Sequence, residues 1–158
     1  MIYSALDLTK LKIQDHIKRV KYFGKMAQKL GYFTNDEMFN NAINAHDADK
    51  MIPINLLGHS KRLLVNPSSK DSDFISKIRD KHYHSNAHHP EYWSKSKVSF
   101  LNCVDATRMP NLYLTEMCCD WSAVNEEFGT TSLDWYNKSI DTRFIFSECQ
   151  KEYIKNCL

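Results

Sequence analysis

Apolar residues recur at helical spacing along most of the chain. Leu8, Leu11, Ile13, Ile17, Val20, Phe23, Met26, Ala27 and Leu30 approximate one stripe, which predicts a helix over 7–30. Asp7 or Thr9 suits its start and Gly31 its end. His16 lies beside the stripe, one position before Ile17. Thr34 with Glu37 three positions on matches a capping box, and Met38, Phe39, Ala42, Ile43 and Ala45 give a short helix over 35–46 an apolar side. His46-Asp47-Ala48-Asp49-Lys50 follows, either ending that helix or beginning another. After Pro53, the residues Ile54, Leu56, Leu57, Leu63, Leu64 and Val65 suit a helix over 54–65. Asn66-Pro67-Ser68-Ser69-Lys70-Asp71-Ser72 reads as a loop, because turn-forming residues cluster there.

A further helix is expected over 72–84, with Phe74, Ile75, Ile78 and Tyr83 available for packing. Pro90 biases His89 away from the α region, so His88-His89 belongs to a helix end or a loop. Met109-Pro110 opens a long helix lined by Leu112, Leu114, Met117, Trp121 and Val124, and Gly129 ends it. A short helix fits 133–138, and Ser147 with Gln150 is a second capping box, opening a helix that runs to Leu158. The pattern predicts an all-α, single-domain bundle of about six to seven helices over 1–158. No repeat or low-complexity segment divides it, and only four Gly and four Pro interrupt it.

Charge narrows the classes of partner. The net charge of +2 is too small to argue for nucleic acid or a membrane surface. Lys10, Lys12, Lys18, Arg19, Lys21, Lys25 and Lys29 read as the solvated side of the first helix. No run approaches the roughly 18 to 20 apolar residues of a membrane span. Met1-Ile2-Tyr3-Ser4-Ala5 lacks the basic and apolar regions of a signal peptide. None of the five cysteines lies in a Cys-x-x-Cys pair, so the chain reads as reduced and cytoplasmic, with thiols used as small core residues.

Histidine usage changes the picture. Four of the seven histidines fall between positions 82 and 89. In chain order there are His16, His46-Asp47, His82 or His84, His88-His89 and Asp120. Imidazole and carboxylate together suit Mn, Fe, Co, Ni or Zn, with Mg also admitted. A helical bundle can bring such residues to one centre from different walls. Adjacent residues on a helix point about 100° apart, so His46 and Asp47 share a metal only across a helix groove. A carboxylate can also bridge two ions. His59, in the basic stretch Gly58-His59-Ser60-Lys61, reads as exposed, and Asp49 as a solvated carboxylate. Tyr92, Trp93 and Trp121 read as packing residues.

The order His, His-Asp, His, His-His, Asp resembles the HD-domain superfamily of metal-dependent phosphohydrolases. His46-Asp47-Ala48-Asp49-Lys50 resembles the His-Asp-x-x-Lys stretch of the HD-GYP cyclic-dinucleotide phosphodiesterases, and His88-His89-Pro90-Glu91 resembles their His-His-x-Glu stretch. Pro90-Glu91-Tyr92-Trp93 stands where Gly-Tyr-Pro would follow, so cyclic-dinucleotide specificity does not carry over. His82-Tyr83, Asn86, His88 to Trp93, Glu116-Met117 and Asp120-Trp121 are also similar to a family of short bacterial and phage proteins, over residues 10 to 140.

The HD resemblance implies an HD-type helical domain with one or two divalent ions and a small phosphate substrate such as a nucleotide. His16, His46, Asp47 and Asp120 match the ligands of single-metal members, with His82, His88 and His89 supplying candidates for a second ion. Asp47 would bridge the two. Lys50 matches a lysine that contacts substrate phosphate, and Glu116, one turn before Asp120, would orient a histidine or accept a proton. The same resemblance allows two other readings: a di-iron oxygenase, or a non-catalytic nucleotide binder with structural metal. It also allows a homo-oligomer.

Overall fold

The computed structural model describes residues 4–62, 68–94 and 103–158. Among them are eight α-helices: α1 (Ala5–Lys29), α2 (Glu37–Ala45), α3 (Pro53–Lys61), α4 (Ser69–Ser85), α5 (Pro90–Trp93), α6 (Asn111–Phe128), α7 (Ser132–Ser139) and α8 (Glu148–Cys157). A 3-10 turn, Ala48–Met51, joins α2 to α3. The fold is all-α apart from two short parallel strands, β1 (Val104–Asp105) and β2 (Phe144–Ile145), with Val104 opposite Phe144. The strands tie the segments that enter α6 and α8, and the helical periodicity gave no sign of them. No helix among the described residues is long and apolar enough to cross a membrane.

α6 forms the middle of the molecule because it is apolar on two sides. Leu114, Met117, Cys118 and Trp121 pack toward Tyr136, Phe144, Phe146 and Ile154. Cys119 and Ala123 pack toward Val20, Ala27, Phe39 and Ile43 of α1 and α2. Full burial of a side chain such as Leu114 or Met117 contributes about 1.5–3 kcal/mol. Trp121 is a core residue, as expected.

Local signals set the helix ends. Ser4 and Asp7 form a capping box at α1, so the cap lies before the expected Asp7 or Thr9. Asp36, rather than Thr34, caps α2 through Phe39 N–H. Ser68 caps α4, which therefore begins inside the expected loop over 66–72. The expected helix over 54–65 runs as Pro53–Lys61, and positions 63–65 lie outside the described residues. Gly129 adopts φ 65° and ends α6, and Ser147 with Gln150 opens α8.

The buried stripe of α1 differs from the expected one. Thr9, Ile13, Val20, Gly24 and Ala27 are buried, whereas Leu8, Leu11, Met26 and Leu30 are exposed. Gly24 is on the stripe because a Cβ there would lie 3.0 Å from the side chain of Ile43. His16 is three residues after Ile13 and four before Val20, so it belongs to the buried side rather than beside it.

Candidate metal centre

Each candidate residue arrives from a different element. α1 supplies His16 and α6 supplies Glu116 and Asp120, which share a side because they are four residues apart. His46 and Asp47 are not in a helix. His46 is the extended residue that ends α2, and Asp47 adopts left-handed φ 57° and ψ 14°. That backbone turn removes the 100° divergence of adjacent helical side chains, and both side chains are fully buried in one place. A non-glycine residue in this region costs about 1–3 kcal/mol and persists where the surroundings impose it. α4 supplies His82, and the turn before α5 supplies His88 and His89. Trp93 fixes that turn by donating from its indole N–H to Ala87 O at 2.8 Å, which gives it a structural role, while Tyr92 is exposed.

The donor atoms form two groups that share Asp47. In the first, His16 Nε2 lies 3.0 Å from Asp120 Oδ1 and 3.4 Å from Asp47 Oδ2. His46 Nε2 lies 3.6 Å from Asp47 Oδ2 and 3.7 Å from Asp120 Oδ1. In the second, His82 Nε2 lies 2.9 Å from His89 Nε2 and 3.2 Å from Asp47 Oδ1, and His88 Nε2 lies 3.7 Å from Asp47 Oδ1. Nitrogen and oxygen ligands about 2.1 Å from one ion sit roughly 3.0–3.5 Å apart, so the spacing fits. His46 Nε2, His88 Nε2 and Asp47 Oδ1 are buried without a hydrogen-bond partner. Three unpartnered polar atoms aimed at one region are what a cation would satisfy. The set has imidazole and carboxylate donors and no thiol, so the residues fit one or two divalent ions.

A second layer holds the imidazoles. Glu116 Oε1 lies 3.0 Å from His46 Nδ1 and 3.4 Å from His88 Nδ1. Asp49 Oδ2 lies 2.9 Å from His82 Nδ1, and Asn86 donates to His82 O at 2.9 Å. Carboxylates at Nδ1 fix the tautomer whose Nε2 lone pair faces inward. The expectation of a solvated Asp49 is therefore corrected: the 3-10 turn that follows Asp47 carries it onto His82. Glu116 is placed behind the rings, where it can orient His46 and His88.

Burial alone would raise the carboxyls of Asp47 and Asp120, yet both are held well below their usual range, Asp47 by Lys50 and His46 and Asp120 by His16 and His46. Burial opposes the charge on His46, but Asp47, Asp120 and Glu116 outweigh it and raise its pKa to about 10. Burial, reinforced by His88, pushes His89 well below its usual value.

The centre opens into a cleft of about 670 Å³ lined by His16, His82, His89 and Asp120. Lys50 lies at this opening, with Nζ 2.6 Å from Asp47 Oδ2. Arg62, Arg79 and Arg143 add positive charge, and Trp121, Phe128 and Trp135 supply apolar walls. His59 also lines the cleft and is half-buried, so the expectation of an exposed His59 is corrected. Burial, then Lys50, lowers its pKa to about 4. His84 is exposed and bonded to Asp80 O at 2.7 Å, so His82 is the member that reaches the centre.

A family profile described as a family of unknown function, DUF5662, matches residues 7–158. The chain belongs to DUF5662. No curated protein and no solved structure matches it. In this DUF5662 chain the seven ligand candidates of the sequence converge, while Asp49 and His59 were expected at the surface and the cleft arginines carried no expectation. Asp49 had a signal in its spacing, two positions after Asp47. The arginines come from three separate segments and had none.

Proposed function

We propose that this protein is a metal-dependent phosphohydrolase of the HD-domain type, acting on a nucleotide or similar small phosphate ester. One observation carries the reading: Asp47 turns opposite carboxylate oxygens toward two imidazole clusters at the floor of a cationic cleft. When bound, one or two divalent ions lower the pKa of a water toward neutrality and polarise a phosphoryl oxygen.

The chain's own groups do the rest. His16, His46, Asp47 and Asp120 would hold the first ion, and Asp47, His82, His88 and His89 the second. Glu116 and Asp49 keep three of those imidazoles in the liganding tautomer. Lys50, at the mouth, neutralises a nonbridging phosphate oxygen as a compact charge, and Arg62 and Arg79 extend the positive field. The apolar walls narrow the approach of solvent and strengthen these charge interactions.

The test is turnover. Protein loaded with Mn, Co or Fe should release phosphate from, or open a phosphodiester in, at least one member of a nucleotide panel. Absence of turnover with every metal contradicts the hydrolase reading. The same ligands suit a di-iron oxygenase, but Lys50, Arg62 and Arg79 in the cleft favour an anionic substrate. Oxygen consumption by the iron-loaded protein, without hydrolysis, would reverse that preference.

A further inference from the structure

One wall of the cleft is built from groups that phosphate chemistry does not use. Glu91 of α5 and Arg143, just before β2, meet there, with Arg143 Nη2 3.3 Å from Glu91 Oε1. The guanidinium lies 4.8 Å from the centre of the Phe144 ring and 5.9 Å from that of Trp135. The Glu91 side chain is only 12% exposed, and its Oε2 is buried without a hydrogen-bond partner. A buried carboxylate oxygen lacking a donor is costly, and Glu91 is one of the residues that line the cleft.

The same cleft is lined by His16, His89 and Asp120 of the metal centre, so one molecule can touch both regions. Its volume of about 670 Å³ falls within the roughly 300–1,000 Å³ of small-molecule sites.

We propose that this wall is a nucleobase subsite that selects guanine, with Glu91 as the specificity-determining residue. This rests on the nucleotide reading of the cleft. The Glu91 carboxylate accepts from N1–H and the 2-amino group, while Trp135, partly exposed in the cleft, packs the ring. Guanine is the common base with two adjacent N–H donors on its pairing edge. Adenine and cytosine place a ring nitrogen acceptor beside their amino group, and uracil flanks its N–H with two carbonyls. Each of these sets a lone pair against the carboxylate, which accepts only. Arg143 holds Glu91 in place.

The test uses nucleoside phosphonates, whose P–C bond resists hydrolysis, titrated into metal-loaded protein by calorimetry. The guanine compound is expected to bind at least about ten-fold tighter than the adenine compound, with the hypoxanthine compound, which lacks the amino group, between them. Glu91→Gln is expected to abolish the guanine preference while holding adenine affinity within about three-fold. Equal affinity for the bases in the unsubstituted protein overturns the inference, as does a Glu91→Gln protein that keeps the preference. The comparison of bases on the unsubstituted chain decides the matter alone if Glu91→Gln does not fold. A guanine preference without turnover with any metal contradicts the hydrolase reading and leaves the subsite standing.

Discussion

Glu116 Oε1 lies 3.0 Å from Nδ1 of His46, while Nε2 of the same ring faces Asp47 and Asp120. Glu116 thus governs the ring from behind, and it holds His88 in the same way. Glu116→Gln is expected to weaken metal binding by about 10- to 100-fold. Competition against a chelator of known affinity checks this. Unchanged affinity would remove Glu116 from the account.

The two carboxylates of the first cluster are expected to differ in metal stoichiometry. Asp47→Ala removes an oxygen from both clusters, and Asp120→Ala from only one. Elemental analysis should find close to no retained metal in the first variant and partial retention, at the His82, His88 and His89 group, in the second. Equal loss in both would contradict bridging by Asp47.

Stability of the chelated protein should depend on pH in two directions. His46 has its pKa raised from 6.5 to about 10. Its contribution is complete below pH 6.5 and is lost as pH rises through about 10. His59 is lowered from 6.5 to about 4, so its contribution is complete above 6.5 and is lost as pH falls through about 4. Asp47 and Asp120 add to the acid loss below their ordinary value of 3.8. Denaturant midpoints from pH 4 to 10 should therefore peak near pH 6.5. His59→Gln should make the acid limb shallower, with the part due to His89 remaining, and leave the alkaline limb.

Packing of α3 on α4 positions His82, because Ile78, one turn before it, lies against Gly58. A Cβ at position 58 would fall 2.7 Å from Ile78 Cγ1. Gly58→Ala is expected to destabilise the fold by about 1–3 kcal/mol, read as a lowered denaturant midpoint. A stabilised variant would show that α4 yields freely there.

The helices were legible in the sequence wherever a cap and an apolar period agreed, as at Ser147 to Leu158 and at Pro110 to Gly129. The α1 stripe was misplaced because the buried side uses Thr9 and Gly24, which carry little hydrophobic signal, while Leu8 and Leu11 stay exposed. The inward residues were legible because imidazoles and carboxylates have few structural reasons to recur in such an order. What held them was not. The left-handed turn at Asp47 has no strong sequence mark, and the pairing of Glu91 with Arg143 joins residues 52 positions apart. Pairings of that kind arise from the packing of distant elements, which local periodicity does not encode.

Anomalous diffraction from a crystal of the metal-loaded protein, recorded at the absorption edge of the metal, tests the central claim most directly. The account predicts two peaks about 3.5–4 Å apart, one beside Asp47 Oδ2 among His16, His46 and Asp120, the other beside Oδ1 among His82, His88 and His89. A map with no peak within bonding distance of Asp47 would contradict it.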